Sequence, residues 1–381
     1  MRYFFILFIP FSLFGQSDEE DFFSTEEQEY YENLSRDYSF KPTPVELATK
    51  NWFEHVKTIE ARNRFKAPDI NENILEKIGR DIDLLDSAKL QAIIKESQVV
   101  ACEELNGTTA ILYMDSKFDE FMWGEPGYWI ELSANGKSSY YYTGLTRNYY
   151  INLYDSKLPV WKNDSTLQFR ALNVRMIKPF IHPLEAPKYE TIKDNLIIQL
   201  SLNQITKDSD GDGLQDIIED KMMTNSNSND SDGDGVLDVD DTNPRFESVR
   251  TNRTLMFAGL LDNYINDTLK IRDNKIINAK RPTQISKLKP RTYLIVSDDP
   301  DIQRIPIEYN QYIILTTHEF EEYKKKYPIS FEDISISKTF KLDKYPNSFK
   351  VSISTNLGGE EYIVTELQNG YDITIYSTWI Y

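Results

Sequence analysis

Two six-residue runs carry most of the chemistry legible in this chain. Asp208-Ser209-Asp210-Gly211-Asp212-Gly213 recurs unchanged as Asp230-Ser231-Asp232-Gly233-Asp234-Gly235, 22 residues later. Alternating aspartates on a tight loop aim their carboxylates at one centre, and the glycine at the sixth position lets the backbone turn sharply enough to wrap an ion. Laid on the twelve-position calcium loop, the first copy supplies Asp208, Asp210 and Asp212, the Leu214 carbonyl, Asp216, and Glu219 at the last position. The second supplies Asp230, Asp232, Asp234, the Val236 carbonyl, Asp238 and Asp241. Calcium takes six to eight hard oxygen ligands, whereas magnesium prefers fewer carboxylates and keeps its waters, so two calcium ions are expected.

A solvated acidic linker would also be rich in Asp, Gly, Asn and Ser. It would not reproduce six residues in register together with matching acids at the ninth and twelfth positions. So many carboxylates on one loop also repel one another unless a cation sits among them.

With Ile217–Met223 as a short helix and 224–229 as an Asn/Ser connector, the pair of loops resembles bacterial thrombospondin type 3 repeats over residues 208 to about 244. The resemblance implies a compact, calcium-ordered spacer between domains, and it implies no catalytic activity. The connector departs from the family in lacking its usual prolines. The layout also looks like exported bacterial proteins that place such a repeat before a small C-terminal α+β domain. A regulatory EF-hand is disfavoured, because a sensor needs a helix on both sides of each loop and a Met-rich groove. Leu196–Leu202 reads as a strand, and Asp241-Thr242-Asn243-Pro244 follows the second loop with no helix.

The charge distribution sets these loops apart. The 381 residues carry 43 basic and 61 acidic side chains, a net charge of −18. Residues 208–241 hold twelve acids and one base, Lys221, while residues 18–32 hold eight acids and no base. The remainder is nearly neutral. Nucleic acid is excluded as a main partner, since phosphate binding needs an excess of Lys and Arg.

At the N-terminus, Arg2 precedes an apolar run from Tyr3 to Phe14 and then Gly15-Gln16-Ser17, the pattern of a secretory signal peptide over 1–16. The run is too short for a transmembrane span, and the protein is expected to be exported to the periplasm, cell surface or medium. Residues 17–40 form an acidic segment of low expected order. Cys102 is the single cysteine, so no intrachain disulfide can form.

The elements that must position the loops follow a multidomain α+β pattern. Residues 41–205 are expected to place helices first and an antiparallel sheet after them. Thr43-Pro44-Val45-Glu46 reads as a capped helix start, with Val45, Ala48, Trp52, Val56 and Ile59 on one face. Ile74, Ile78, Ile82 and Leu85 mark a second helix. Asn135-Gly136 inside Tyr128–Tyr142 signals a hairpin. Tyr149–Tyr154, Leu167–Ile177 and Leu196–Leu202 read as strands, with Pro179, Pro183 and Pro187 in an irregular connection. The calcium repeat occupies 206–245. Residues 250–381 read as a small α+β domain with an antiparallel sheet: a helix over Leu255–Leu269, strands at Tyr293–Val296 and Tyr312–Leu315, and a helix opened by Thr316 and stopped by Pro328. Strand runs follow at Ile334–Leu342, Phe349–Thr355, Glu361–Leu367 and Tyr371–Trp379.

Catalytic signals are sparse. The histidines His55, His182 and His318 are scattered, and Glu322 stands where a zinc protease motif begun at His318-Glu319 requires His. Asp298-Asp299-Pro300-Asp301 reads as a turn and Gly358-Gly359 as a turn or bulge. Trp123, Tyr128, Trp129 and Tyr140–Tyr142 suit cross-strand packing, or a stacking platform for a sugar. Besides calcium, an extracellular protein or glycan is the expected partner. The leading function is a calcium-ordered scaffold or binding protein; the alternative is a secreted hydrolase with structural calcium and no assignable catalytic residue.

Overall fold

The computed structural model describes residues 42–62, 99–114, 128–145, 148–151, 158–178, 188–266, 292–307, 311–327, 334–337, 339–342, 345–355, 358–368 and 370–380. The expected signal sequence, the 17–40 segment, the second expected helix with Ile74, Ile78, Ile82 and Leu85, the connection through Pro179, Pro183 and Pro187, Trp123 and His182 lie outside them. The described residues are mostly strand with few helices, arranged in three sheets.

The first two sheets face each other across one core. A five-stranded antiparallel sheet contains β1 (Val56–Glu60), β6 (Tyr149–Ile151), β7 (Trp161–Asn163), β8 (Thr166–Lys178) and β9 (Lys188–Ser201), in the order β1-β9-β8-β6 with β7 also on β8. A four-stranded meander runs β2 (Val99–Leu105), β3 (Thr108–Met114), β4 (Tyr128–Ala134), β5 (Lys137–Tyr142). Alternate residues of the long strands, Leu167, Phe169, Ala171, Ile198 and Leu200, share one core with Val100, Ala110, Leu112, Tyr128 and Ile130 of the meander.

The Asn135-Gly136 hairpin is borne out: both residues have positive φ (52° and 75°), as a type I′ turn demands. The same dipeptide at Asn106-Gly107, with φ of 52° and 77°, turns β2 into β3.

The first expected helix is corrected. Only α1 (Val45–Ala48) forms; Pro44 rather than Thr43 occupies the cap, without a side-chain hydrogen bond. Val56 and Ile59 belong to β1, which pairs Val56–Glu60 antiparallel with Leu200–Leu196. Val56, Thr58 and Ile59 are β-branched, and pairing with β9 outweighs a weak helical spacing. β6 ends at Ile151 among the described residues, and β9 begins at Lys188, well before the expected Leu196. Tyr128 and Tyr142 are buried in the core, and Trp129 packs on Tyr142 with ring centroids 5.4 Å apart, the cross-strand arrangement rather than a platform of exposed rings.

Just after β5, Gly144 has φ +74°, and a Cβ there would meet His55 Nε2 at 3.2 Å and Phe53 Cδ2 at 3.3 Å. His55 is itself fixed by donating from Nε2 to the Thr143 carbonyl at 2.7 Å. Gly144→Ala should therefore cost about 1–3 kcal/mol of stability, read as a lowered urea midpoint; an unchanged midpoint would show that the turn relaxes freely.

The third sheet has seven strands and is mixed, which corrects the antiparallel expectation. β10 (Thr292–Val296) lies between β11 (Gln311–Leu315) and β12 (Ile334–Ile336) and is parallel to both. β14 (Tyr345–Thr355), β15 (Gly358–Leu367) and β16 (Gly370–Ile380) then follow antiparallel, with β13 (Phe340–Leu342) on β14. The single run expected over Ile334–Leu342 is thus two short strands. Gly358-Gly359 sit inside β15, and the bulge comes at Glu361/Tyr362.

Parallel strands are buried on both faces, and alternate residues here join two different clusters. Tyr293, Ile295, Tyr312 and Ile314 pack under Met256, Phe257, Leu260 and Leu261 of α4 (Asn252–Asn266). Leu294, Val296, Ile313 and Leu315 pack on Phe320 and Tyr323 of α6 (Thr317–Lys326). The latter helix opens with the expected capping box: Thr316 Oγ1 accepts from Glu319 N, and Glu319 accepts from Thr316 N. Between β9 and α4 come α2 (Leu202–Ile205), the first acidic loop, α3 (Asp216–Met222) and the second loop. After β10, Asp299 caps the one-turn α5 (Pro300–Gln303).

Candidate metal centre

Each acidic loop is held open by its own backbone, and the second repeats the first bond for bond. Asp208 accepts from Gly211 N (2.7 Å) and Gly213 N (3.1 Å); Asp230 accepts from Gly233 N (2.7 Å) and Gly235 N (2.9 Å). Asp210 and Asp232 each accept through Oδ1 from the next aspartate's N–H, at 3.2 and 3.0 Å. Asp212 and Asp234 accept from Leu214 N (2.7 Å) and Val236 N (2.9 Å). The turns require positive φ at Gly213 (102°) and Gly235 (94°), where a side chain would be strained.

This scaffold brings the carboxylates together. Asp208, Asp210 and Asp212 each place one oxygen within 4.8 Å of the others, and Asp230, Asp232 and Asp234 do the same. Asp210, Asp212 and Asp232 each retain a buried Oδ2 without a hydrogen-bond partner. Burial raises the Asp212 and Asp232 carboxyls above the usual range, and neighbouring aspartates add to the rise.

Glu219 follows the first loop on α3. Its side chain is 0% exposed, and neither carboxylate oxygen has a partner. Burial pushes its pKa up to about 8, reinforced by Asp210, Asp212, Asp216 and Asp238. Asp241, after the second loop, is buried too: its Oδ2 lacks a partner, and burial with Asp234 and Asp232 raises it to about 6. Its Oδ1 accepts from Asn243 N at 2.8 Å. A buried carboxylate without a partner is costly unless a cation is part of its environment.

The ninth-position acids, unlike Glu219, are held by hydrogen bonds. Asp216 accepts from Ser209 N and Oγ (2.8 Å each) and pairs with Lys207 at 2.5 Å, contacts that hold its carboxyl low against the opposing effect of burial. Asp238 accepts from Ser231 N (2.9 Å) and Oγ (2.6 Å). Both braces tie the end of a loop back to its second residue.

Several residues that sequence spacing does not single out fix the module in place. Gln215, just before α3, accepts from Tyr142 N at 3.0 Å and donates to the Ile205 carbonyl at 2.6 Å. Lys221 lies over the Tyr142 ring, 4.7 Å from its centroid. Within α3, Ile217 belongs to the sandwich core and Met222 to the cluster under α6. Asp220 takes Lys326 and the Tyr327 hydroxyl from the C-terminal side. Beyond the second loop, Tyr312 N donates to the Thr242 carbonyl at 2.8 Å, and Arg245 pairs with Glu319 at 2.7 Å. The acidic module is therefore wedged between the sandwich and the mixed sheet.

The other polar groups considered from sequence are accounted for locally. Asp298 accepts from Thr317 N (2.9 Å) and Oγ1 (2.7 Å), and Arg253 pairs with Asp299 (3.3 Å) and Asp301 (2.6 Å). Buried His55 is shifted below its ordinary pKa by desolvation, and His318 sits exposed on α6. No helix among the described residues is long and apolar enough to cross a membrane. Comparison with family models, with curated proteins and with solved structures finds no match to this chain.

Proposed function

We propose that residues 208–241 bind two calcium ions and that the bound ions lock a spacer, akin to a thrombospondin type 3 repeat, between the β-rich halves of an exported scaffold or binding protein. The observation that carries this reading is the fully buried, unpartnered Glu219 carboxylate beside the Asp208–Asp212 triad, with Asp241 in the equivalent place one repeat on. The oxygen-only donor set suits a hard cation. The first ion falls to Asp208, Asp210, Asp212, the Leu214 carbonyl and Glu219. The second falls to Asp230, Asp232, Asp234, the Val236 carbonyl and Asp241. Asp216 and Asp238 serve each site from the ninth position, through water or as braces. The likeness to exported repeats and the Tyr3–Phe14 apolar run support a location where calcium is plentiful.

Extracellular calcium modules have dissociation constants of ~10⁻⁴ to 10⁻³ M. Calorimetric titration of the full chain should give two ions per molecule. Asp212→Ala, which removes a first-loop ligand, and Asp234→Ala, which removes its counterpart, should each lower the count toward one. Binding of no calcium at millimolar concentration would reduce the segment to an acidic linker.

A further inference from the structure

The two acidic loops are copies in sequence and unlike in their surroundings. Their 22-residue offset matches Leu214 with Val236, Gln215 with Leu237, Ile217 with Val239 and Glu219 with Asp241. In the first copy this stretch turns inward: Gln215 and Ile217 are each 6% exposed, and Leu214 packs on the cluster under α6. In the second copy Val236, Leu237 and Val239 are 40%, 39% and 39% exposed. Open aliphatic side chains gathered on the rim of an ion site mark a surface that meets something apolar.

The last ligands differ as well. Both Glu219 oxygens lack a partner, so this glutamate can grip an ion with two oxygens. The shorter Asp241 has given Oδ1 to Asn243 N at 2.8 Å, which leaves Oδ2 alone. Counting three aspartate oxygens and one carbonyl from each loop, the first site supplies six oxygens and the second five. Asp216 and Asp238 are braced alike by Ser209 and Ser231, so they do not offset the difference. Calcium takes six to eight oxygens, and the second site leaves more of them to come from outside the loop. Asp234 and Val236 are exposed where Asp212 and Leu214 are half-buried, so the second site is the one that opens to solvent.

Building on the calcium assignment proposed for these loops, we infer that the second loop is a binding site for a neutral saccharide. Two adjacent ring hydroxyls complete the ion's shell, and the C–H face of the sugar lies on Val236, Leu237 and Val239. Charge selects the neutral class. Asp230, Asp232, Asp234 and Asp241 outweigh one divalent ion, so a carboxylate or phosphate ligand is repelled there and a cationic one competes with the metal. Hydroxyls on neighbouring ring carbons bring oxygen without charge at a fixed spacing, and they replace water. A protein partner would need ~800 Å² of surface, far more than three aliphatic side chains offer.

Affinity electrophoresis of the full chain through native gels containing mannan, dextran or galactan tests this, in millimolar calcium and in EGTA. At least one polysaccharide should retard the protein in calcium, and EGTA should abolish the retardation. The double variant Leu237→Ser/Val239→Ser should still bind two calcium ions in calorimetry and migrate freely. Europium in place of calcium reports its coordinated waters through luminescence lifetimes in H2O and D2O. The second site, loaded alone in Asp212→Ala, should hold at least one water more than the first, loaded alone in Asp234→Ala. Failure to bind calcium would sink the underlying assignment and this inference with it. With two ions bound, the saccharide site alone is overturned by free migration in all three gels, by retardation that survives EGTA or the double variant, by equal water counts, or by calcium-dependent binding to phosphatidylserine vesicles in place of polysaccharide.

Discussion

Glu219→Gln should invert the stability order of mutant and wild type between calcium and chelator. In calcium the variant loses a charged ligand of the first site. Its affinity there should fall by at least the ~10–100-fold that loss of a mere outer-shell partner costs. Wild type then melts higher, with ~1.4 kcal/mol from each site when free calcium is about ten times the dissociation constant. In chelator above pH 8 the order reverses. The wild-type folded state must hold an ionised carboxylate with no partner, whereas glutamine is neutral and nearly isosteric. Melting curves of both proteins at pH 9, with calcium and with chelator, check this. The same order in both conditions would show that Glu219 faces no cation.

Calcium binding near pH 7 should release about one proton. Glu219, raised to about 8, is mostly protonated there, while Asp241, raised to about 6, is mostly ionised. A carboxyl whose folded pKa is raised keeps its proton in the metal-free fold after the unfolded chain has lost it. Metal-free stability therefore falls as pH climbs from about 4.5 to about 8, and levels off above. Calcium must displace that proton, so first-site affinity should rise roughly tenfold per pH unit across the same window and then flatten. Calorimetry in buffers of different ionisation enthalpy reads the count directly. It should grow toward pH 6, where Asp241 contributes, and vanish near pH 9. A pH-independent affinity would place both carboxylates outside the ion sites.

The acidic loops were legible because their geometry is local. Asp208 to Gly213 form their turn from side chains and N–H groups within five residues, so fixed offsets encode it. The Asn135-Gly136 hairpin is legible for the same reason, and Asn106-Gly107 carried the same signal between two strand runs. Non-local pairing was harder to read. Trp52, Val56 and Ile59 fit a helical spacing, and only β9, some 140 residues on, makes Val56–Glu60 a strand. The unbroken apolar runs of β10 and β11 are the mark of strands buried on both faces, which is where the parallel part of the third sheet shows in the sequence. No local spacing marks Gln215, Asp220 and Lys221, because their partners Tyr142, Lys326 and Tyr327 lie about 70 to 110 residues away.

Helix α3 spans only seven residues, yet consecutive positions answer to three different surroundings. Ile217 serves the sandwich, Glu219 the acidic loop, Asp220 and Met222 the C-terminal side, and Lys221 returns to Tyr142. Each residue advances the helix by ~100°, so a single insertion would swing every later side chain onto the wrong neighbour. The length of this helix is thus frozen in a way that surface connections are not. Substitutions along it can persist only in concert with changes on both flanking halves, and those halves must evolve as one unit although their own cores are separate.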